Sequence, residues 1–286
     1  MSASVSQAAL AMSALQKRTL VAGSGWSVSE ITCDAGPGDR PFEERHEGYS
    51  IAAVVAGAFT YRGERGEAAM FPGALLLGNH DRCFSCGHAH SRGDRCIAFS
   101  LAPETFAEIA ASAAGTSRYS FSVNVAPPGH ALTPALVGLE RLARESCEPR
   151  REERALGLAE RLIGLVSGHS AAPPRASARE LRRIVEAVRA IDARPEAALD
   201  LAALAATAGF SKYHFLRVFR RVVGMTPHQY LIATRLRRAS ARLSDTKDSV
   251  TRIAFDSGFG DLSTFNARFR AVFGVAPSAW RRKGGA

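Results

Sequence analysis

Hydrophobic and polar positions follow two different periods along this chain. In the first third, short runs rich in β-forming residues are separated by Gly, Pro and Asp, a pattern that predicts the strands of a small barrel or sandwich. After Pro103 the apolar residues recur at helical spacing in Ala-rich segments, which predict helices packed on the barrel or on a second subunit. The predicted strands are Trp26–Cys33, Ser50–Val55, Ala58–Arg62, Ala74–Leu77 and Arg95–Ser100, and the predicted helices are residues 104–113, 132–145 and 154–166.

The last third of the chain has the helical pattern throughout. Before it, residues 167–177 lack periodicity, and Pro173-Pro174 cannot continue a helix, so residues 171–177 are the predicted linker. Breaks at Gly and Pro divide residues 178–286 into about seven short helices. The fold class predicted is α+β multidomain: a β-barrel with packed helices over residues 1–170, followed by an all-α domain over residues 178–286.

Composition narrows the class of protein. Hydrophobic residues make up 46% and charged residues 22% of the 286 residues, which excludes a disordered chain. Five cysteines are too few for a disulfide scaffold, and their odd number fits free thiols in a reducing compartment. Lys17 and Arg18 follow the weakly apolar start of the chain rather than precede it, the wrong polarity for a secretory signal. We therefore expect a cytoplasmic protein.

The positive charge is confined to the last third. Residues 1–175 hold 17 Lys and Arg against 18 Asp and Glu, whereas residues 176–286 hold 20 against 9, a net charge of +11. A nearly neutral module joined to a strongly basic one indicates that the second module meets a polyanion. Nucleic acid and a basic membrane-facing surface both fit at this point.

An internal repeat lies within the basic segment, at an offset of about fifty residues. Each copy predicts a helix, a turn through a Gly that must tolerate positive φ, and a second helix capped at Ser211 or Asp261. This is the sequence form of a helix-turn-helix; an ordinary helical hairpin is the alternative, which two copies flanking an amphipathic helix disfavour. Leu204–Phe210 aligns with Ile253–Phe259, and Phe215, Phe219, Gly224, Pro227 and Tyr230 align with Phe265, Phe269, Gly274, Pro277 and Trp280.

Over roughly residues 180–283 these motifs resemble the AraC/XylS family of bacterial transcription regulators, and the N-terminal part is similar, more loosely, to that family's cupin-like effector and dimerisation domain. Gly66 and Pro72-Gly73 resemble one half of a cupin signature. The resemblance implies an activator or repressor that places two recognition helices in successive major-groove segments of promoter DNA. It also implies a cytoplasmic, nucleoid-associated protein, contact with RNA polymerase, a homodimer formed through the N-terminal domain, and control by a small-molecule effector, a metal or a redox signal.

The family's functional positions can be carried over residue by residue. The recognition helices are residues 211–221 and 261–273, and weaker base readout is expected from the second because Leu262 and Ala267 offer only apolar contact. The expected phosphate-binding residues are basic and lie on or near these helices. The base-reading positions are Lys212, Tyr213, Leu216, Arg217, Leu262, Ser263 and Asn266, and the phosphate-binding positions are Arg220, Arg221, Arg252, Arg268, Arg270 and Arg281.

A cluster of cysteines and histidines is the other unusual stretch. Cys83, Cys86, His88 and His90 combine C-x2-C with H-x-H, residue types that suit Zn²⁺ or another soft metal. In a strand, however, Cys86, His88 and His90 share a face by alternation alone, and a free Cys is usually a buried small hydrophobe. Metal binding, redox sensing through Cys83 and Cys86, and simple packing therefore all stay open.

Two other classes of function compete with a regulator. A cupin-type metalloprotein or metalloenzyme with an attached DNA-binding module would use His46 and the H-x-H pair, but their order and spacing do not fit that of such enzymes. A nucleoid-like architectural protein would bind without sequence preference. No nucleophile elbow, P-loop or dinucleotide-binding fingerprint is present in the sequence, so no enzymatic activity is expected.

Overall fold

The computed structural model describes residues 15–89, 91–144, 151–168 and 176–282. The N-terminal part forms two antiparallel sheets, with strand order β1-β2-β9-β4-β7-β10 in one and β3-β8-β5-β6 in the other. The strands are β1 (Leu15–Gly23), β2 (Trp26–Cys33), β3 (Phe42–Arg45), β4 (Tyr49–Gly57), β5 (Phe59–Gly63), β6 (Gly66–Met70), β7 (Leu75–Gly78), β8 (Cys83–Gly87), β9 (Asp94–Leu101) and β10 (Val125–Ala126).

The six-stranded sheet is covered on both faces. Ala52 and Val54 of β4 face the four-stranded sheet, where they pack with Tyr61 and Met70. Their neighbour Ile51 points the other way, into a larger core made with three helices. Those helices are α1 (Pro103–Ala113), α2 (Thr133–Leu142) and α3 (Arg151–Ser167), so the predicted helical segments pack on the barrel.

All five strands predicted from the sequence are present, and five more accompany them. The unpredicted β1 is an edge strand with mostly exposed residues, so it lacks a buried apolar alternation. Strands β3, β8 and β10 have two to five residues, too few to show a period.

Seven helices lie within residues 176–282, as the sequence predicts. Of the predicted linker, residues 171–175 lie outside the described residues, and Ser177 already caps the first of these helices through a hydrogen bond accepted from the Glu180 amide. No helix among the described residues is long and apolar enough to cross a bilayer. The helices are α4 (Ala178–Ala193), α5 (Leu201–Thr207), α6 (Lys212–Val223), α7 (Pro227–Asp245), α8 (Val250–Asp256), α9 (Leu262–Phe273) and α10 (Pro277–Arg282).

The two parts of the chain share hydrophobic core. Phe71 and Ala58 of the barrel are buried together with Ile184 and Val188 of α4. On the other side, Val137 of α2 is buried in the cluster that holds α7, α8, α9 and α10 together. The barrel and its helices therefore pack directly on both halves of the all-α region.

Two equivalent glycines provide a test of the repeat. Gly209 and Gly258 have φ of +59° and +88°, as the predicted turns require. A Cβ on Gly258 would lie 2.5 Å from the Glu196 carbonyl oxygen, whereas a Cβ on Gly209 would meet only the movable end of Arg183, at 3.1 Å.

We predict that Gly209→Ala lowers the free energy of unfolding by about 1–2 kcal/mol, the cost of a left-handed alanine. Gly258→Ala should cost a further 1–3 kcal/mol or so, because backbone must also move to relieve the contact. Urea denaturation of the two variants measures the difference, and equal losses would contradict the backbone contact at Gly258.

Candidate nucleic-acid interface

Each predicted recognition helix is anchored by a pair of buried phenylalanines. Phe215 and Phe219 on α6, and Phe265 and Phe269 on α9, are fully buried. The ring centroids lie 5.6 Å apart in both pairs, because residues four apart share a helix face. With this face turned inward, the opposite face of each helix is left to solvent.

The N-terminal caps of both helices form as predicted. The Ser211 hydroxyl accepts a hydrogen bond from the His214 amide, and the Asp261 carboxylate accepts one from the Thr264 amide. The capping bond lowers the pKa of Asp261, since it stabilises the charged carboxylate. Each recognition helix therefore begins at the residue that follows its cap.

The first recognition helix, α6, presents four predicted base readers. Lys212, Tyr213 and Arg217 are exposed, Tyr213 to 76%, and Leu216 is half-buried. Tyr213 and Arg217 are four residues apart on one face, and Arg220 continues that face one turn further. An exposed aromatic ring next to guanidinium groups is an arrangement that can reach base edges and phosphates.

The second recognition helix, α9, presents a smaller set. Ser263 and Ala267 are exposed and Asn266 is half-buried. Leu262 packs against the hydrophobic cluster beneath the helix, so part of its side chain is committed to the core. The repeat aligns Ala267 with Arg217, so this helix lacks the guanidinium that stands at the centre of the first one.

The predicted phosphate-binding arginines divide into exposed residues and residues whose guanidinium groups are held by other parts of the protein. Arg220, Arg268 and Arg270 are exposed and form no salt bridge with any residue that the structure describes. Arg252 is exposed but lies 3.8 Å from Asp248 and 3.7 Å from Asp256.

Arg221 and Arg281 have intramolecular partners instead. Arg221 forms a salt bridge with Glu180 of α4. Arg281 donates to the carbonyl oxygens of Leu243 and Asp248, at 3.2 and 2.5 Å. Both guanidinium groups therefore hold helices together, an outcome that the sequence did not indicate.

The three predicted metal ligands that the structure describes do not share one environment. Cys83 is exposed while Cys86 is partly buried and His88 is buried, because residues three apart on a strand point to opposite faces. His90 lies outside the described residues. Instead, ligand atoms of Cys33, His88 and Asp94 lie within 4.8 Å of one another. Sequence reasoning missed Cys33, which lies 50 residues before Cys83, and Asp94, which is not part of the C-x2-C or H-x-H motif.

The thiols inside the barrel are in an unreactive environment. Burial raises the pKa of Cys33, and raises those of Cys86 and Cys96 well above the ordinary thiol value. Redox sensing requires an accessible thiolate, and these surroundings disfavour one. Among the four cysteines described, Cys83 alone is exposed.

His46 occupies the barrel interior as a neutral ring. Its Nε2 lies 2.9 Å from the Tyr61 hydroxyl, and its ring stacks on Phe84 with centroids 4.2 Å apart. Burial lowers the pKa of His46 to about 4, so it is uncharged at neutral pH. It lines a cavity of about 550 Å³ between the two sheets, together with Glu44, Cys86 and Cys96.

Comparison with known proteins finds similarity in the repeated segment. A family model described as a helix-turn-helix domain matches residues 204–283. The TetD protein of transposon Tn10 from Escherichia coli is 39% identical over 75 residues, which are 26% of this chain and 54% of that protein. The transcriptional activator AarP of Providencia stuartii is 36% identical over 83 residues, 29% of this chain and 62% of that protein.

A solved structure is also similar. The DNA-binding domain of AdpA, a global transcriptional factor, in complex with a target DNA, is 31% identical, and the match covers 35% of this chain and 91% of that chain with a TM-score of 0.34. The chain spans 54% and 62% of the lengths of the two curated relatives above. Residues 204–283, with their two capped and phenylalanine-anchored recognition helices, form a helix-turn-helix domain of the AraC/XylS family.

Proposed function

We propose that this protein is a sequence-specific DNA-binding transcription regulator. The observation that carries the proposal is the repetition of one unit whose second helix buries a phenylalanine pair and exposes the opposite face. Such a helix is suited to enter a major groove. The net charge of +11 on residues 176–286 supplies the attraction to a polyanion.

The spacing of the two units supports binding to successive major-groove segments. Helix α7 has 19 residues and connects the units, which makes it about 28 Å long at 1.5 Å per residue. One turn of B-DNA is roughly 34–36 Å, a similar length. The two units differ in their outward residues, so the two half-sites should be direct and unlike.

The recognition helices differ in how much sequence they can read. Arg217 can donate two hydrogen bonds to guanine O6 and N7, and Tyr213 offers a ring and one hydroxyl. Lys212 and Leu216 flank them on α6. On α9, Ser263 and Asn266 provide the polar contacts, so we infer that most of the discrimination comes from the first unit.

The exposed arginines complete the interface. Arg220, Arg268, Arg270 and Arg252 are exposed, and we infer that they neutralise phosphates; such contacts fix the register of the protein without reading sequence. Arg221 and Arg281 are left out of this set because their guanidinium groups bind Glu180 and backbone carbonyls.

The N-terminal barrel is the proposed site of control. Its interior cavity of about 550 Å³ falls in the size range of small-molecule sites. We propose that an effector or a second copy of the chain acts through this domain, and that the bound protein contacts RNA polymerase from its position on promoter DNA. A cytoplasmic location follows from such a role.

The first prediction about DNA binding concerns its dependence on salt. The affinity of the full chain for its target duplex should fall linearly on a double-logarithmic plot of affinity against salt, with a slope of about −0.9 for each phosphate neutralised. Fluorescence anisotropy between low and physiological salt measures the slope. A flat response would remove the electrostatic basis of the proposal.

The second prediction separates base readers from phosphate binders. Arg217→Ala should weaken binding by about 1–3 kcal/mol and relax preference at one base pair, whereas Arg270→Ala should weaken all sequences alike and reduce the salt slope by about one. Titration against a set of single-base variants of the target distinguishes the two.

Arg40→Ala, an exposed arginine on a barrel loop, is the matched control and should leave both slope and preference unchanged. If Arg217→Ala and Arg270→Ala weaken every duplex by the same factor, the assignment of Arg217 as a base reader is wrong.

A further inference from the structure

Two residues of the six-stranded sheet meet at the end of one strand pair. In the antiparallel ladder of β2 and β9, Cys33 is the direct partner of Asp94. Opposite residues on one face of such a pair have Cβ atoms roughly 4.5–5.5 Å apart. The Cys33 side chain is buried, and the Asp94 side chain is only 7% exposed.

The other sheet brings a third side chain to the same place. His88 follows β8 directly, and its Nε2 lies 2.8 Å from Oδ2 of Asp94. Its side chain is 1% exposed, and its ring centroid lies 5.9 Å from that of Phe59. One thiol, one imidazole and one carboxylate from the two sheets thus converge within 4.8 Å.

The Asp94 carboxylate is held by neighbouring side chains of the barrel. A buried carboxylate is costly unless a cation or several donors balance it. No Lys or Arg of the described residues forms a salt bridge with Asp94, and its contacts are the His88 imidazole and the Cys96 thiol, whose Sγ lies 3.5 Å from Oδ1. A divalent cation would balance the carboxylate and a thiolate together.

The donor types and spacing fit one small ion. Zn²⁺ binds Cys, His and Asp side chains with bonds of about 2.0–2.3 Å, so donor atoms on one ion lie roughly 3–4 Å apart. The donor atoms here lie within 4.8 Å of one another, a separation that a bound ion would have to shorten. Cys33, Asp94 and Cys96 also line the cavity between the sheets, which leaves space for a fourth ligand.

We propose that Cys33, His88 and Asp94 form a Zn²⁺ site in the wall of the barrel, beside the Cys96 thiol. The site differs from the C-x2-C and H-x-H pattern, sharing only His88 with it. It lies apart from the recognition helices and does not depend on DNA binding.

Metal analysis of the full chain tests the site. Protein stripped with a chelator and dialysed against Zn²⁺ should hold close to one ion per chain. Cys33→Ser and the near-isosteric Asp94→Asn should each weaken binding by roughly tenfold or more, since even residues behind the ligands contribute that much. Cys83→Ser is the matched control, because it removes an exposed thiol at the opposite end of β8 from His88, and it should retain the ion.

Cobalt provides a readout that needs no variant. Co²⁺ in the wild-type chain should give a thiolate-to-cobalt charge-transfer band and the visible bands of a tetrahedral site, and Zn²⁺ should displace it. If circular dichroism shows that Cys33→Ser does not fold, the Asp94→Asn variant and the cobalt spectrum of the wild type still test whether the metal site exists. The proposal is overturned if the wild type takes up neither ion, or if Cys83→Ser loses the ion as fully as Asp94→Asn does.

Discussion

The burial of two phenylalanines on each recognition helix is the constraint on which the DNA-facing surface depends. Phe215 and Phe219 fix the rotation of α6, and Phe265 and Phe269 fix that of α9. Once these rings are inside, Tyr213 and Arg217 must face outward on α6, as must Ser263 on α9. The buried phenylalanines thus determine which side chains face outward, although they are not themselves part of the exposed surface.

Apolar packing also connects the recognition helices α6 and α9 to the barrel. Val137 of α2 is buried among the residues that support α9, and Arg141 lies over the Trp280 ring at 5.6 Å. Phe71 of the barrel is buried against α4, which packs on α6. Each helix-turn-helix unit is therefore supported in part by the N-terminal domain, and a shift in the barrel has a direct path of packed side chains to both.

Basic composition overstates the number of cations available to DNA. Arg235 is buried and donates to the carbonyl oxygens of Pro195 and Ala197, at 2.5 and 2.7 Å. Arg242 lies 2.7 Å from Asp248 and 2.9 Å from Asp256. Guanidinium groups serve well as internal clamps because five donors in a fixed plane can satisfy several helix-end carbonyls at once. Fewer arginines are therefore available to bind phosphates than the net charge of the segment indicates.

What the sequence determined by itself is local and periodic. The sequence was enough to predict the caps at Ser211 and Asp261 and the spacing of the phenylalanines, because a helix turn places its partners three or four residues apart. The sequence was not enough to predict the group of Cys33, His88 and Asp94, since two sheets and one strand register bring Cys33 next to His88 and Asp94, which lie 55 and 61 positions further along the chain. Cys83 and Cys86 are three residues apart on β8, so their side chains point to opposite faces of the strand. Only the tertiary structure decided which thiols share an interior, because strand pairing is a long-range choice made by the whole hydrophobic core.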